Sequence, residues 1–146
     1  MELPPNGNLR SVQTMRDPQL DDVIQTAEFR TALRQFSSQT ERIAASHGIT
    51  SQWYLLLLMI KGAPDGSQRS TVTDLTDRLH LAQHTVTELV TRAFRAGLIR
   101  RTPSKTDRRV TYLTLTEKGE RVFAKSFEDL RVERRKLSET VQRLGP

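Results

Sequence analysis

Two apolar stripes at helical spacing, one near each end of the chain, constrain what it can fold into more than any other feature. Phe29, Leu33, Phe36, Thr40 and Ile43 recur at intervals of four and three, which sets them on one face of a helix. Phe123, Phe127, Leu130, Arg134, Leu137, Val141 and Leu144 repeat the pattern, with one arginine in the seam. The spacing predicts a first helix from Asp17 to about His47, stopped by Gly48. It also predicts one long last helix over about 117–144. In a chain of 146 residues, two such seams carry more apolar surface than one small lobe covers. A second copy of the chain, meeting the first along these helices, supplies the missing cover.

The middle of the chain changes period. Thr50 caps a second helix holding Trp53, Leu56, Leu57 and Ile60, an apolar stretch dense enough to require burial. Trp53 and Tyr54 are core by default, with a contribution to a pocket as the other reading. "GAPDGSQ" at 62–68 is a turn-rich loop, because Gly62, Pro64 and Gly66 interrupt helix there. Thr71 and Asp74 then form a capping-box pattern ahead of Val72, Leu75 and Leu79. After "HLAQ", Val86, Leu89, Val90, Ala93 and Phe94 fall at amphipathic spacing until Gly97. Two short helices joined by about four residues make a helix-turn-helix candidate.

A hairpin follows. Leu98 and Ile99 begin a strand, residues 103–108 form a loop, and "RVTYLTLT" (109–116) returns with Thr111, Leu113 and Leu115 on one face. Thr116 caps the next helix, with Glu117 and Glu120 near its positive end. The fold class is therefore mainly α with a small β-hairpin. A lobe over about 50–116 is flanked by dimerisation helices over about 17–47 and 117–144, in one domain spanning 17–146. Residues 1–16, with two prolines and a glycine, read as a flexible arm.

Charge points to the partner. The net charge is +6, which favours a polyanion. Seven of the residues from 92 to 109 are Lys or Arg and only Asp107 is acidic, a local concentration suited to phosphate binding. Gln83, His84, Thr85 and Thr87 open the second helix of the pair, where short polar side chains reach base edges in the major groove. Arg92 and Arg95 lie further along it, and Lys105, Arg108 and Arg109 sit on the hairpin loop. The minor groove is only about 6 Å wide, too narrow for a helix but open to one extended arginine from such a tip. Asp107 either holds the Arg109 guanidinium or simply forms the turn.

Enzymatic readings find no support. His47, His80 and His84 lie in three separate contexts without metal-ligand spacing, and no hydrolase, phosphate-loop or dinucleotide motif occurs. His47 either lines a ligand pocket or is a satisfied or solvated side chain. The chain contains no cysteine, which removes disulfides, thiolate metal sites and cysteine redox sensing; no cofactor is expected. "WYLLLLMI" is too short to span a bilayer, and the N-terminus lacks the pattern of a signal peptide, so a cytoplasmic location is expected. A different class stays open, an interaction or dimerisation module that keeps the fold without binding DNA.

"TVTELVTRAFRAGLIRR" (85–101) followed by "DRRVTYLTLTEKG" (107–119) resembles the winged helix-turn-helix of the MarR family of bacterial transcriptional regulators. The D-x-R of the wing and the L-T-x-x-G entry into the next helix are similar to that family's signatures. The resemblance implies a homodimer, often a repressor, that binds a pseudo-palindromic double-stranded DNA operator. It also implies release of DNA on binding a small, often phenolic or aromatic, effector. By position Arg109 would be the wing arginine with Asp107 its partner, and Gln83, His84, Thr85 and Thr87 would face the bases. Phe123, Phe127, Leu130, Leu137, Val141 and Leu144 would serve dimerisation. Ala82 departs from the family's capping serine. Glu88 departs from a basic or neutral position and would either face cytosine N4 or repel phosphate.

Overall fold

The computed structural model describes residues 16–144, so the arm expected over 1–16 lies outside the described residues except for Arg16. Six helices and one hairpin follow, one helix more than expected and otherwise in the expected order. Helix α1 runs Leu20–Ser46 and starts three residues later than Asp17. Pro18 explains the delay, because its ring disfavours helical backbone at the residue before it. Gly48, at φ +80°, lets the chain leave α1: its N–H donates to the Ala45 carbonyl and the Ile49 N–H to that of Ala44. The next helix, α2 (Ser51–Lys61), departs at 94° and carries the expected cap, Trp53 N–H donating to Thr50 Oγ1. Among the described residues no single helix is long and apolar enough to cross a membrane.

Helices α3 (Val72–Leu79) and α4 (Gln83–Arg95) form the helix pair. Strands β1 (Ile99–Pro103) and β2 (Thr111–Leu115) pair antiparallel, with Ile99 opposite Leu115 and Arg101 opposite Leu113. The returning strand is shorter than the expected 109–116. Arg109 and Val110 belong to the turn, and Thr116 has left the sheet to cap α5 (Glu117–Asp129). The core sits where α2, α4 and the sheet meet; Leu56, Leu57, Ile60, Leu75, Val86 and Leu113 are essentially fully buried. Each such side chain contributes about 1.5–3 kcal/mol relative to exposure. Tyr54 belongs to this core and stacks on Phe123, ring centroids 5.8 Å apart.

The single long C-terminal helix is corrected to two. Leu130 ends α5, and α6 runs Arg131–Leu144. At the break the Leu130 side chain turns inward to 1% exposure. The Phe127 carbonyl, which residue 131 would engage in an unbroken helix, instead accepts from the Arg134 guanidinium. The same guanidinium lies 3.6 Å from the Phe127 ring centroid. The arginine that interrupts the apolar seam is thus the piece that secures the break.

Candidate nucleic-acid interface

The helix pair is built from local chemistry. Thr71 Oγ1 accepts from the Asp74 N–H at 3.2 Å while the Asp74 carboxylate accepts from the Thr71 N–H at 3.3 Å, completing the capping box. His80 closes α3 in the left-handed region at φ 53°, so three residues rather than four join the helices. Ala82 offers α4 no side-chain cap, as its identity requires. Val86, Leu89, Val90 and Ala93 bury the inner face of α4. That orientation leaves Gln83, His84, Thr87, Glu88, Arg92 and Arg95 exposed. Thr85 differs from its neighbours: it is half-buried beside Val86.

Glu88 has a partner within its own helix. Its carboxylate pairs with Arg92 one turn later at 2.5 Å. The pair cancels charge on the outer face of α4 and ties Arg92 to its own helix, leaving Arg95 as the uncompensated cation there.

The wing tip is ordered by its own backbone. Ser104 Oγ accepts from the N–H groups of Thr106 and Asp107, and the Ser104 N–H reaches the Val110 carbonyl at 2.9 Å. The Asp107 carboxylate accepts the Arg109 N–H at 3.0 Å, whereas the Arg109 guanidinium stays 3.8 Å away. Of the two readings for Asp107, turn formation is the one with good hydrogen-bond geometry. The Arg109 side chain is 94% exposed, and Lys105 and Arg108 are exposed with it.

Gln83 and Arg109 line one cleft of about 730 Å³ between the helix pair and the wing. Arg69, Thr71 and Tyr112 line it too. Lys105 lies by a separate hollow on the wing, beside Pro103, Ser104 and Tyr112. Two cation–ring contacts were not legible in the sequence. Arg101 sits over the Phe94 ring at 4.5 Å, and Arg69, from the loop before α3, sits over Tyr112 at 3.8 Å. Neither pairing has a sequence signal, because each joins segments that only the fold brings together.

Of the residues expected at the dimer seam, Phe123 and Leu130 are buried in the protomer's own core. Phe127, Leu137, Val141 and Leu144 keep exposed or partly exposed surface. Val141 and Leu144 face Phe29 across a groove of about 400 Å³ between α1 and α6. Arg143 bridges the same helices to Glu28 at 3.3 Å. Leu20, Val23, Ile24 and Val132 add exposed apolar area. His47 is satisfied: its Nε2 lies 2.6 Å from the Asp129 carboxylate, linking the end of α1 to the end of α5. Among the described residues no cluster of three His, Asp or Glu side chains is placed to hold a metal.

Residues 47–110 match the model of the MarR family. No curated protein matches the sequence. Among solved structures, the chain is similar to AbsC, a MarR family transcriptional regulator from Streptomyces coelicolor. The identity is 21% and the TM-score 0.67, over 88% of this chain and 81% of that one. It is also similar to a mutant MarR from E. coli complexed with operator DNA, at 17% identity and TM-score 0.64, over 84% and 86% of the two chains. The transcriptional regulator Tm0710 from Thermotoga maritima is similar at 27% identity and TM-score 0.57, over 80% and 78%.

Proposed function

We infer that this chain, whose winged-helix segment and overall fold are those of the MarR family, is a sequence-specific double-stranded DNA-binding transcriptional regulator. One observation carries the reading: Gln83, at the start of α4, and Arg109, on the wing, line a single cleft. A helix in the major groove and an extended arginine in the adjacent minor groove need that juxtaposition. The similar E. coli protein in complex with operator DNA supports it. In this reading Gln83, His84 and Thr87 read base edges, with Thr85 contributing from its half-buried position. Arg95, Lys105 and Arg108 bind phosphate, and Arg92 does so less strongly because Glu88 competes for it.

The lobe over about 50–116 would act in pairs. The apolar surface left on α1 and α6 supports a homodimer in the cytoplasm that covers two half-sites about one helical turn apart. Repression, and release by a small phenolic or aromatic ligand, rest on the family resemblance.

The test is selection of preferred duplexes from random sequence with purified protein, followed by titration of variants against salt. Gln83→Ala should relax preference at one symmetric position per half-site and cost about 1–3 kcal/mol on the best sequence only. Lys105→Ala should weaken binding to every sequence alike and lower the salt slope by about one per lobe. Uniform loss with a reduced slope for both would show that α4 does not read bases.

A further inference from the structure

The loop between α2 and α3 is fixed at several points although its sequence suggested only turns. Lys61 Nζ donates to Gln68 Oε1 at 3.1 Å, and Gln68 itself turns at φ 58°. The Ser67 N–H donates to the Asp65 carboxylate at 2.9 Å. Ser70 exchanges two backbone hydrogen bonds with Leu113, at 2.8 and 3.1 Å, which fastens the end of the loop to β2 as a third, one-residue strand.

These bonds deliver Arg69 to the wing. Its guanidinium carbon lies 3.8 Å from the Tyr112 ring centroid. Stacking occupies the flat face of the guanidinium and leaves its N–H donors available around the rim. Arg69 is exposed, and among the described residues it forms no ion pair within 4.0 Å. Two neighbouring carboxylates are engaged elsewhere. Asp74 is engaged in the capping box, and Asp65 is held below its usual range chiefly by hydrogen bonds from Ser67, with Arg69 the smallest contributor. Arg69 also lines the cleft that Gln83 and Arg109 line.

We propose that Arg69 is a DNA-backbone contact, a phosphate ligand that the 62–71 loop presents on the face of Tyr112. The proposal rests on the DNA-binding reading above and gives that loop a role. A phosphate is the ligand that suits an exposed, oriented guanidinium without a carboxylate partner, because the planar fork matches its oxygens.

The experiment uses the full chain and two duplexes of about 30 base pairs, long enough for two half-sites. One is the sequence selected by the wild type, and the other is of mixed sequence. Affinities are measured from about 50 to 200 mM salt, a range over which phosphate contacts show in the slope. Arg69→Ala should weaken both duplexes alike and lower the log–log slope by about one per lobe, while Arg69→Lys keeps the slope. Tyr112→Leu should keep the slope but lose about two- to fivefold in affinity, the worth of the lost stacking. Melting temperatures report whether each variant is folded. An unchanged slope for Arg69→Ala, beside a reduced slope for Lys105→Ala, would overturn the proposal and leave the regulator reading intact. Weakened binding with a lowered melting temperature and unchanged slope would make Arg69 a strut for the wing, which also overturns it. A wild type that binds neither duplex in a salt-dependent way would remove both readings together.

Discussion

Gly119→Ala is the substitution whose cost the structure defines best. Gly119 lies in the first turn of α5, where its N–H donates to Thr116 Oγ1 at 3.0 Å. A Cβ at this position would stand 2.0 Å from the Leu98 carbonyl oxygen and 3.0 Å from its carbon. Ordinary contact begins near 3.4 Å, so the backbones must part by 1.4 Å, the difference between that distance and 2.0 Å. The obstacle is main chain, which cannot rotate away. The displacement breaks the bond from the Thr116 N–H to the Leu98 carbonyl, now 3.1 Å, and strains that from Thr116 Oγ1 to the Gly97 carbonyl, now 2.5 Å.

Overpacking costs about 1–3 kcal/mol and each lost hydrogen bond about 0.5–1.5. Alanine's better helix propensity returns about 1 kcal/mol. The expected net loss is about 2 kcal/mol, read by urea denaturation at one fixed protein concentration because the stability of the proposed dimer would depend on concentration. Gly66→Ala is the control: its φ is +74° and its Cβ would meet nothing within 4 Å, so only strain of about 1–2 kcal/mol is expected. Wild-type stability for Gly119→Ala would refute the close approach of α5 to the base of the wing.

Arg109→Ala should weaken operator binding by about 1–3 kcal/mol without altering the melting temperature, since the Asp107 turn uses only the backbone of that residue. Unchanged affinity for both Arg109→Ala and Arg108→Ala would reduce the wing to a merely cationic loop. Leu137→Glu with Val141→Glu should give monomers or unfolded chains by light scattering, because a charge buried without a partner is costly. A folded wild-type monomer at micromolar concentration would sink the dimer. Burial raises the Tyr54 pKa above 10.0, with Arg134 opposing the shift, so the folded state keeps a proton that the unfolded chain gives up. Tyr54's share of stability is therefore complete below pH 10 and declines above it. Tyr54→Phe should flatten that decline in denaturation curves taken between pH 9 and 11, and an equal decline in both proteins would refute it.

What was legible in the sequence followed from local rules. The caps at Thr50, Thr71 and Thr116 and the stop at Gly48 each depend on a few adjacent residues, and each is present. The inner face of α4 followed from periodicity for Val86, Leu89, Val90 and Ala93, but Phe94, expected on the same face, is exposed and lies under Arg101 instead. What escaped depends on side-chain contacts that periodicity does not encode, some of them distant in sequence. The break at Leu130 is secured by an arginine four residues on, which also reaches back to Phe127, and a regular apolar spacing across it masks the kink. Phe123 and Leu130 sit on the expected stripe, yet Tyr54 and the lobe claim them before any partner can. The need for glycine at 119 was visible only as a motif; its cause is the carbonyl of Leu98, twenty-one residues earlier.

The break at Leu130 also sets a mechanical ratio. Helix α5, 13 residues long, is a rigid arm of about 20 Å from that point to the base of the wing. A rotation of about 10° at the break would carry the far end of the arm about 3.5 Å, close to the rise of one base-pair step, about 3.4 Å. In the proposed dimer, opposite rotations in the two protomers would double the change in separation between their α4 helices. Besides the buried Leu130, the fulcrum is fastened by Arg134 on Phe127, Arg131 beside Glu128 and the His47–Asp129 bridge. If the chain is the dimeric regulator proposed above, a ligand would not need to approach the DNA to unseat it; a small displacement at the fulcrum would put two helices out of step with two grooves.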